Sequence, residues 1–150
     1  MIQPTADTKP IANIIKTMNS GIAFYQEAKQ KVEDGTHTGF FNRMIDAKAE
    51  AVFELQPYAV KETGDLVNGD DTMVEARKAY TKIADKLTSN STAFTYVEQL
   101  EEVEDRVLEE IDTALKKELP DNCEATLIRV QKRMKECHDE MRMLKTNVVE

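Results

Sequence analysis

The sequence predicts an all-α protein, a four-helix bundle with one long crossover between its second and third helices. Three observations carry that expectation. Breakers are scarce, with five glycines and four prolines in 150 residues, about half the usual share. Apolar residues recur at three- and four-residue spacing through four long segments, as in helices with one buried face. The connections between these segments are unequal, two of them short and the middle one much longer. A length of 150 residues suits one domain over residues 1–150, burying about two-thirds of the surface its unfolded chain would expose.

The first helix opens near Thr8, with Pro10 in its first turn, where a missing N–H costs little. Ile11, Ile14, Ile15, Met18, Ile22, Tyr25 and Val32 recur on one stripe until Glu33-Asp34-Gly35 stops it. Gly35 to Gly39 is a short connection, so the second helix runs back antiparallel. That helix carries Phe41, Met44, Ile45, Ala51, Val52, Leu55 and Ala59 and ends near Gly64. Pro57 lies inside it and predicts a kink, because proline removes one ladder hydrogen bond.

Between Asp65 and Asn90 the pattern changes. Asn68-Gly69-Asp70-Asp71 is turn chemistry, and Thr72 and Glu75 have the spacing of a capping box. A shorter amphipathic helix follows, with Ala76, Tyr80, Ile83 and Leu87 on one stripe, until Ser89-Asn90-Ser91-Thr92 stops it. The third long helix carries Phe94, Val97, Leu100, Val103, Val107, Leu108, Ile111 and Leu115, and Leu119-Pro120-Asp121-Asn122 breaks it. The fourth carries Leu127, Val130, Met134, Cys137, Met141, Leu144 and Val148, with Asp121 and Glu124 spaced as a cap. A link of this length can span a helix of about 40 Å. The second and third helices are therefore expected as parallel neighbours, and bundles with one such crossover form the ferritin-like class.

Charge narrows the partners. The chain carries 28 acidic and 20 basic residues, a formal charge of −8, with Lys and Arg interspersed among Glu and Asp. Nucleic-acid binding draws on a clustered basic face, so no nucleic-acid partner is expected. No apolar run approaches the roughly 18 residues a membrane span needs, so no membrane partner is expected either. Met1 to Asp7 has neither a basic n-region nor an apolar h-region, and the expected location is the cytoplasm. On one helix, Cys123 and Cys137 stand about 21 Å apart along the axis. That separation excludes a bridge between them and fits reduced thiols.

The informative residues are the polar ones on inward stripes. Glu104 falls near the middle of the third helix's apolar arc and Glu101 on its margin, while Glu98, Glu102, Asp105 and Glu109 form a solvated face. His138 continues the stripe of Leu127, Met134 and Met141, and Lys48 lies between Met44 and Val52. Buried charges need partners, so these groups are expected to meet in one layer near mid-bundle. One reading pairs Lys48 with Glu104 or Glu101, with His138 bonded nearby, as a device that fixes helix register and needs no cofactor. The other makes Glu101, Glu104 and His138 ligands of a divalent metal such as iron, manganese or zinc. Lys48 weighs against the metal, because it puts positive charge where a cation must sit.

A complete di-iron carboxylate centre is excluded, since it needs Glu-x-x-His on two helices. Here Lys135 precedes His138 by three positions, Asp34 precedes His37, and His37 sits in a turn. Cys137 and His138 are adjacent, so their side chains diverge on a helix and make a poor nucleophile pair. No phosphate-cradling glycine loop, nucleophile elbow or calcium loop is present. The seven methionines read as core filler.

The block from Ser20 to Val32 resembles the first-helix segment of small bacterial ferritin-like bundle proteins of unknown function. Arg43, Lys48-Ala49 and Glu54-Leu55-Gln56 are similar to that family's second helix, Glu101 to Asp105 to its acidic third-helix run, and His138-Asp139 to its fourth. The resemblance spans about Thr8 to Lys145. It implies a ferritin-like four-helix bundle with a basic residue, here Lys48, on helix two and acidic residues on helix three. The family carries no established activity, and only a stress-related role comes from its flavour. Family members often carry an acidic residue where Ile22 stands, so this chain lacks one carboxylate that a metal site would use. The expected protein is non-catalytic and acts as a homodimer or with another protein partner.

Overall fold

The computed structural model describes residues 9–31, 37–67 and 92–148, and these form four helices and no strand. They are α1 (Pro10–Lys31), α2 (Thr38–Thr63), α3 (Thr92–Leu115) and α4 (Asp121–Val148). Each buries one face in a common core of aliphatic, aromatic and sulfur side chains, among them Ile14, Met18, Tyr25, Leu55, Val107, Ile111, Leu127 and Met134. The expected short helix over residues 76–87, like the stop signal at residues 33–35, lies outside the described residues. No helix among the described residues is long and apolar enough to cross a membrane.

The helix ends follow from local chemistry. Pro10 brings no N–H to the start of α1, and the next two donors are met from another helix. Ile11 N and Ala12 N donate to the two carboxylate oxygens of Glu62 at 3.1 and 3.0 Å. A carboxylate there also opposes the positive end of the α1 dipole. Gly64 ends α2 at φ 91°, the left-handed conformation glycine adopts without strain, and its N–H bonds Val60 O at 2.7 Å. Asp121 and Glu124 put two carboxylates in the first turn of α4. α2 runs on through Pro57, whose ring is exposed. The carbonyl that loses its partner belongs to Phe53, also on the solvent side.

The four adjacent pairs of helices are antiparallel. Glu62 places the end of α2 at the start of α1, and the Tyr25 and Phe41 rings meet edge-on at 5.9 Å. α3 and α4 are laced by Asp112 with Gln131, Asp105 with His138 and Glu101 with Arg142. α1 lies on α3, where Phe24 and Tyr96 stand 5.6 Å apart. α2 lies on α4, where Tyr58 and Thr126 hydroxyls approach at 3.4 Å. These four contacts close the bundle with α2 and α3 on a diagonal. The expectation that α2 and α3 are parallel therefore holds, but they are not neighbours: α1 and α4 stand between them. α2 ends and α3 begins at opposite ends of the bundle. Gln56 holds the first stretch after α2, its amide donating to Val67 O at 2.9 Å and accepting from Val67 N at 3.2 Å.

On α1 the inward stripe differs from the one expected. Ile22 is half-buried, and Gly21 and Phe24 turn inward instead. The reason is a close approach of α1 to α3. A Cβ on Gly21 would stand 2.8 Å from Val103 Cγ1 and 3.9 Å from Lys48 Cδ and Cε. Only a residue without a side chain admits Val103 at this distance. Gly21→Ala gains about 1 kcal/mol of helix propensity and loses about 1–3 kcal/mol to overpacking against a stiff β-branched side chain. The expected net result is a lower urea midpoint for Gly21→Ala, reversed to a gain in a Val103→Ala background.

Candidate functional site: a buried charge cluster

α2 and α3 bring a lysine and a glutamate to the middle of the bundle. Lys48 follows Met44 by one turn on the inward face of α2, and Glu104 follows Leu100 by one turn on α3. Both side chains are 0% exposed, and Lys48 Nζ lies 2.5 Å from Glu104 Oε2. The Tyr25 hydroxyl of α1 donates to the same oxygen. Its ring centre lies 5.1 Å from the Lys48 ammonium, a cation–π distance. The pair therefore spans the α2–α3 diagonal, with α1 supplying both a donor and an aromatic face.

Burying two charges costs several kcal/mol each, which mutual attraction and added hydrogen bonds must offset. Glu104 Oε2 takes two donors, but Glu104 Oε1 is buried without a hydrogen-bond partner among the described residues. Cys137 on α4 faces the same cluster. Burial pushes its thiol up, Lys48 opposes that rise, and Glu104 adds to it. A thiol held in this way is poorly nucleophilic.

The other two expected site residues face different partners. Glu101 accepts from Arg142 Nε at 3.4 Å, on the seam between α3 and α4. His138 Nε2 lies 2.6 Å from Asp105 Oδ1, and its Nδ1 is 3.6 Å from Asp139. Lys48 and Glu104 are thus brought together, while Glu101 and His138 lie on the rim one seam away. Among the described residues, no group of three or more His, Cys, Asp or Glu side chains is placed to hold a metal ion. Sequence reasoning missed Tyr25 as a polar partner, because its spacing matched a plain core position. It also missed Asp105 and Arg142 as the rim partners. An open hollow lined by Lys117, Leu119, Pro120 and Glu124 sits at the α3–α4 turn, at the end of the bundle.

A second, half-buried carboxylate lies on α3. Burial pushes the Glu110 carboxyl up, while a hydrogen bond from Thr17 and the charge of Arg106 pull it down. A raised folded-state value means the folded protein holds the proton more tightly than the unfolded chain. Stability from this group is then full at low pH and falls as pH rises through the folded value. Glu110→Gln, which keeps an oxygen for Thr17, is expected to raise Tm at pH 7. That gain should close below about pH 4, where the native carboxyl is also protonated. Thermal melts of both proteins at pH 3.5 and 7 check this.

The model of a family described as "Domain of unknown function (DUF2383)" matches residues 8–117. The matched span contains Tyr25, Lys48, Glu101 and Glu104, and His138 lies beyond it. No curated protein and no solved structure matches the chain.

Proposed function

We propose, for a chain that belongs to the DUF2383 family of domains of unknown function, a non-catalytic helical bundle that acts by protein association. In this reading residues 1–150 form one cytoplasmic domain of ferritin-like architecture, and its buried Lys48–Glu104–Tyr25 cluster fixes helix register. The observation that carries it is the complete enclosure of the Lys48–Glu104 pair, 0% exposed at both ends. A substrate cannot reach a pair sealed by the core, and Lys48 already neutralises the carboxylate. Function is then left to the surface. A net charge of −8 favours partners other than nucleic acid.

One observation favours the metal reading as a second possibility, the unpaired Glu104 Oε1. Glu101 sits three residues before Glu104 on α3, and His138 is on the adjoining helix. A cation held by Glu101, Glu104 and His138 would need Arg142 and Asp105 to release two of them, and would sit against the Lys48 ammonium. Metal content separates the readings. Protein from cells grown with added iron, manganese and zinc is expected to carry far less than one metal per chain. Its Tm is expected not to change when metal is added. Near-stoichiometric metal that disappears in His138→Ala would reverse the assignment.

A further inference from the structure

We infer that the outer face shared by α3 and α4 is the contact surface for a second copy of this chain, the two copies related by a two-fold axis parallel to the helices. This rests on the association reading and names its partner.

Exposed charge on α3 is mostly acidic, with Arg106 the exception, and α4 exposes bases interleaved with Glu124, Glu136 and Asp139. On α3, Glu102, Glu109 and Asp112 are exposed, and on α4, Lys132, Lys135 and Arg142 are exposed. Neither Lys132 nor Lys135 makes an ion pair among the described residues, nor do Glu102 and Glu109. Ile128, an apolar side chain at 50% exposure, lies on the same side of α4 as Lys132 and Lys135.

Heights along the bundle fix which residues would meet. Within one chain Asp112 is level with Gln131, Asp105 with His138 and Glu101 with Arg142. Each step along α3 thus matches an equal step back along α4. A two-fold axis parallel to the helices lays α3 of one copy over α4 of the other and leaves every residue at its own height. No sliding freedom remains, so the same level rule applies between copies. Asp112 then stands within one residue's rise of Lys132, Glu109 of Lys135 and Glu102 of Arg142, and symmetry repeats all three. A like-charged match is Asp105 of one copy with Asp139 of the other, at a level where each copy's His138 contacts its own Asp105 and Asp139.

Exposed pairs of this kind are individually weak and screened by salt. The interface is accordingly a salt-sensitive one. Sedimentation of the full chain in 50 mM NaCl is expected to show a concentration-dependent dimer, weakened about tenfold or more in 0.5 M NaCl. Glu109→Lys and Lys135→Glu are each expected to weaken it about tenfold or more. The double variant should restore it, because it only swaps the ends of one pair. All the positions are exposed, and circular dichroism checks that each variant folds. A monomer at 200 µM and low salt overturns the inference. So does a dimer indifferent to both reversals, or one that the double variant fails to rescue. Metal content and oligomeric state are separate readouts, so this interface and the non-catalytic reading can each fall alone.

Discussion

A lysine and a glutamate paired across the diagonal of a four-helix bundle constrain nearly everything around them. Lys48 and Glu104 sit on the two helices at the ends of a diagonal, so their bond ties the α1–α2 hairpin to the α3–α4 hairpin through the centre. Sliding or rotating either hairpin would separate the charges inside a dry core, where an uncompensated charge costs several kcal/mol. Apolar side chains tolerate small slips with little loss, because dispersion and burial are not directional. The charge pair does not. In the proposed reading its contribution is specificity of register rather than net stability, since a buried pair often does no better than well-packed hydrophobes of the same volume.

The surrounding residues accommodate that pair. Gly21 lets α1 close on Val103, beside the Lys48 stem. Tyr25 offers its hydroxyl to the carboxylate and its ring face to the ammonium, so one side chain serves both charges. Phe41 packs edge-on to Tyr25 and holds that ring in place. Cys137 closes the fourth side as a small buried thiol. The polar seam between α3 and α4 is a separate system: Glu101, Asp105 and Asp112 each find a partner on α4 near solvent.

Helix spacing in the sequence is enough to place the four helices and to turn Lys48 and Glu104 inward, because each lies near the middle of an apolar arc. It fails at the margins. Glu101 and His138 lie at the edge of their stripes, where a small rotation decides between core and rim, and tertiary packing set that rotation. Ile22 was displaced by Gly21 for a reason invisible in periodicity, since the close approach depends on what α3 presents at Val103. The arrangement of helices was also underdetermined. A long link requires α2 and α3 to run parallel, but it is compatible with both adjacent and diagonal positions, and antiparallel contact with α1 and α4 selects the diagonal.

The central claim is that Lys48 and Glu104 act as one unit, and a double-mutant cycle tests it most directly. Lys48→Met leaves a buried carboxylate alone, and Glu104→Gln leaves a buried ammonium alone while keeping an acceptor for Tyr25. Urea unfolding of the two single variants is expected to show losses of about 3–5 kcal/mol each. The double variant, with no charge left at the centre, is expected to lose less than either single, a coupling of about 3 kcal/mol or more between the sites. Losses that simply add in the double variant would mean that the two charges do not depend on each other, and the register account would be wrong.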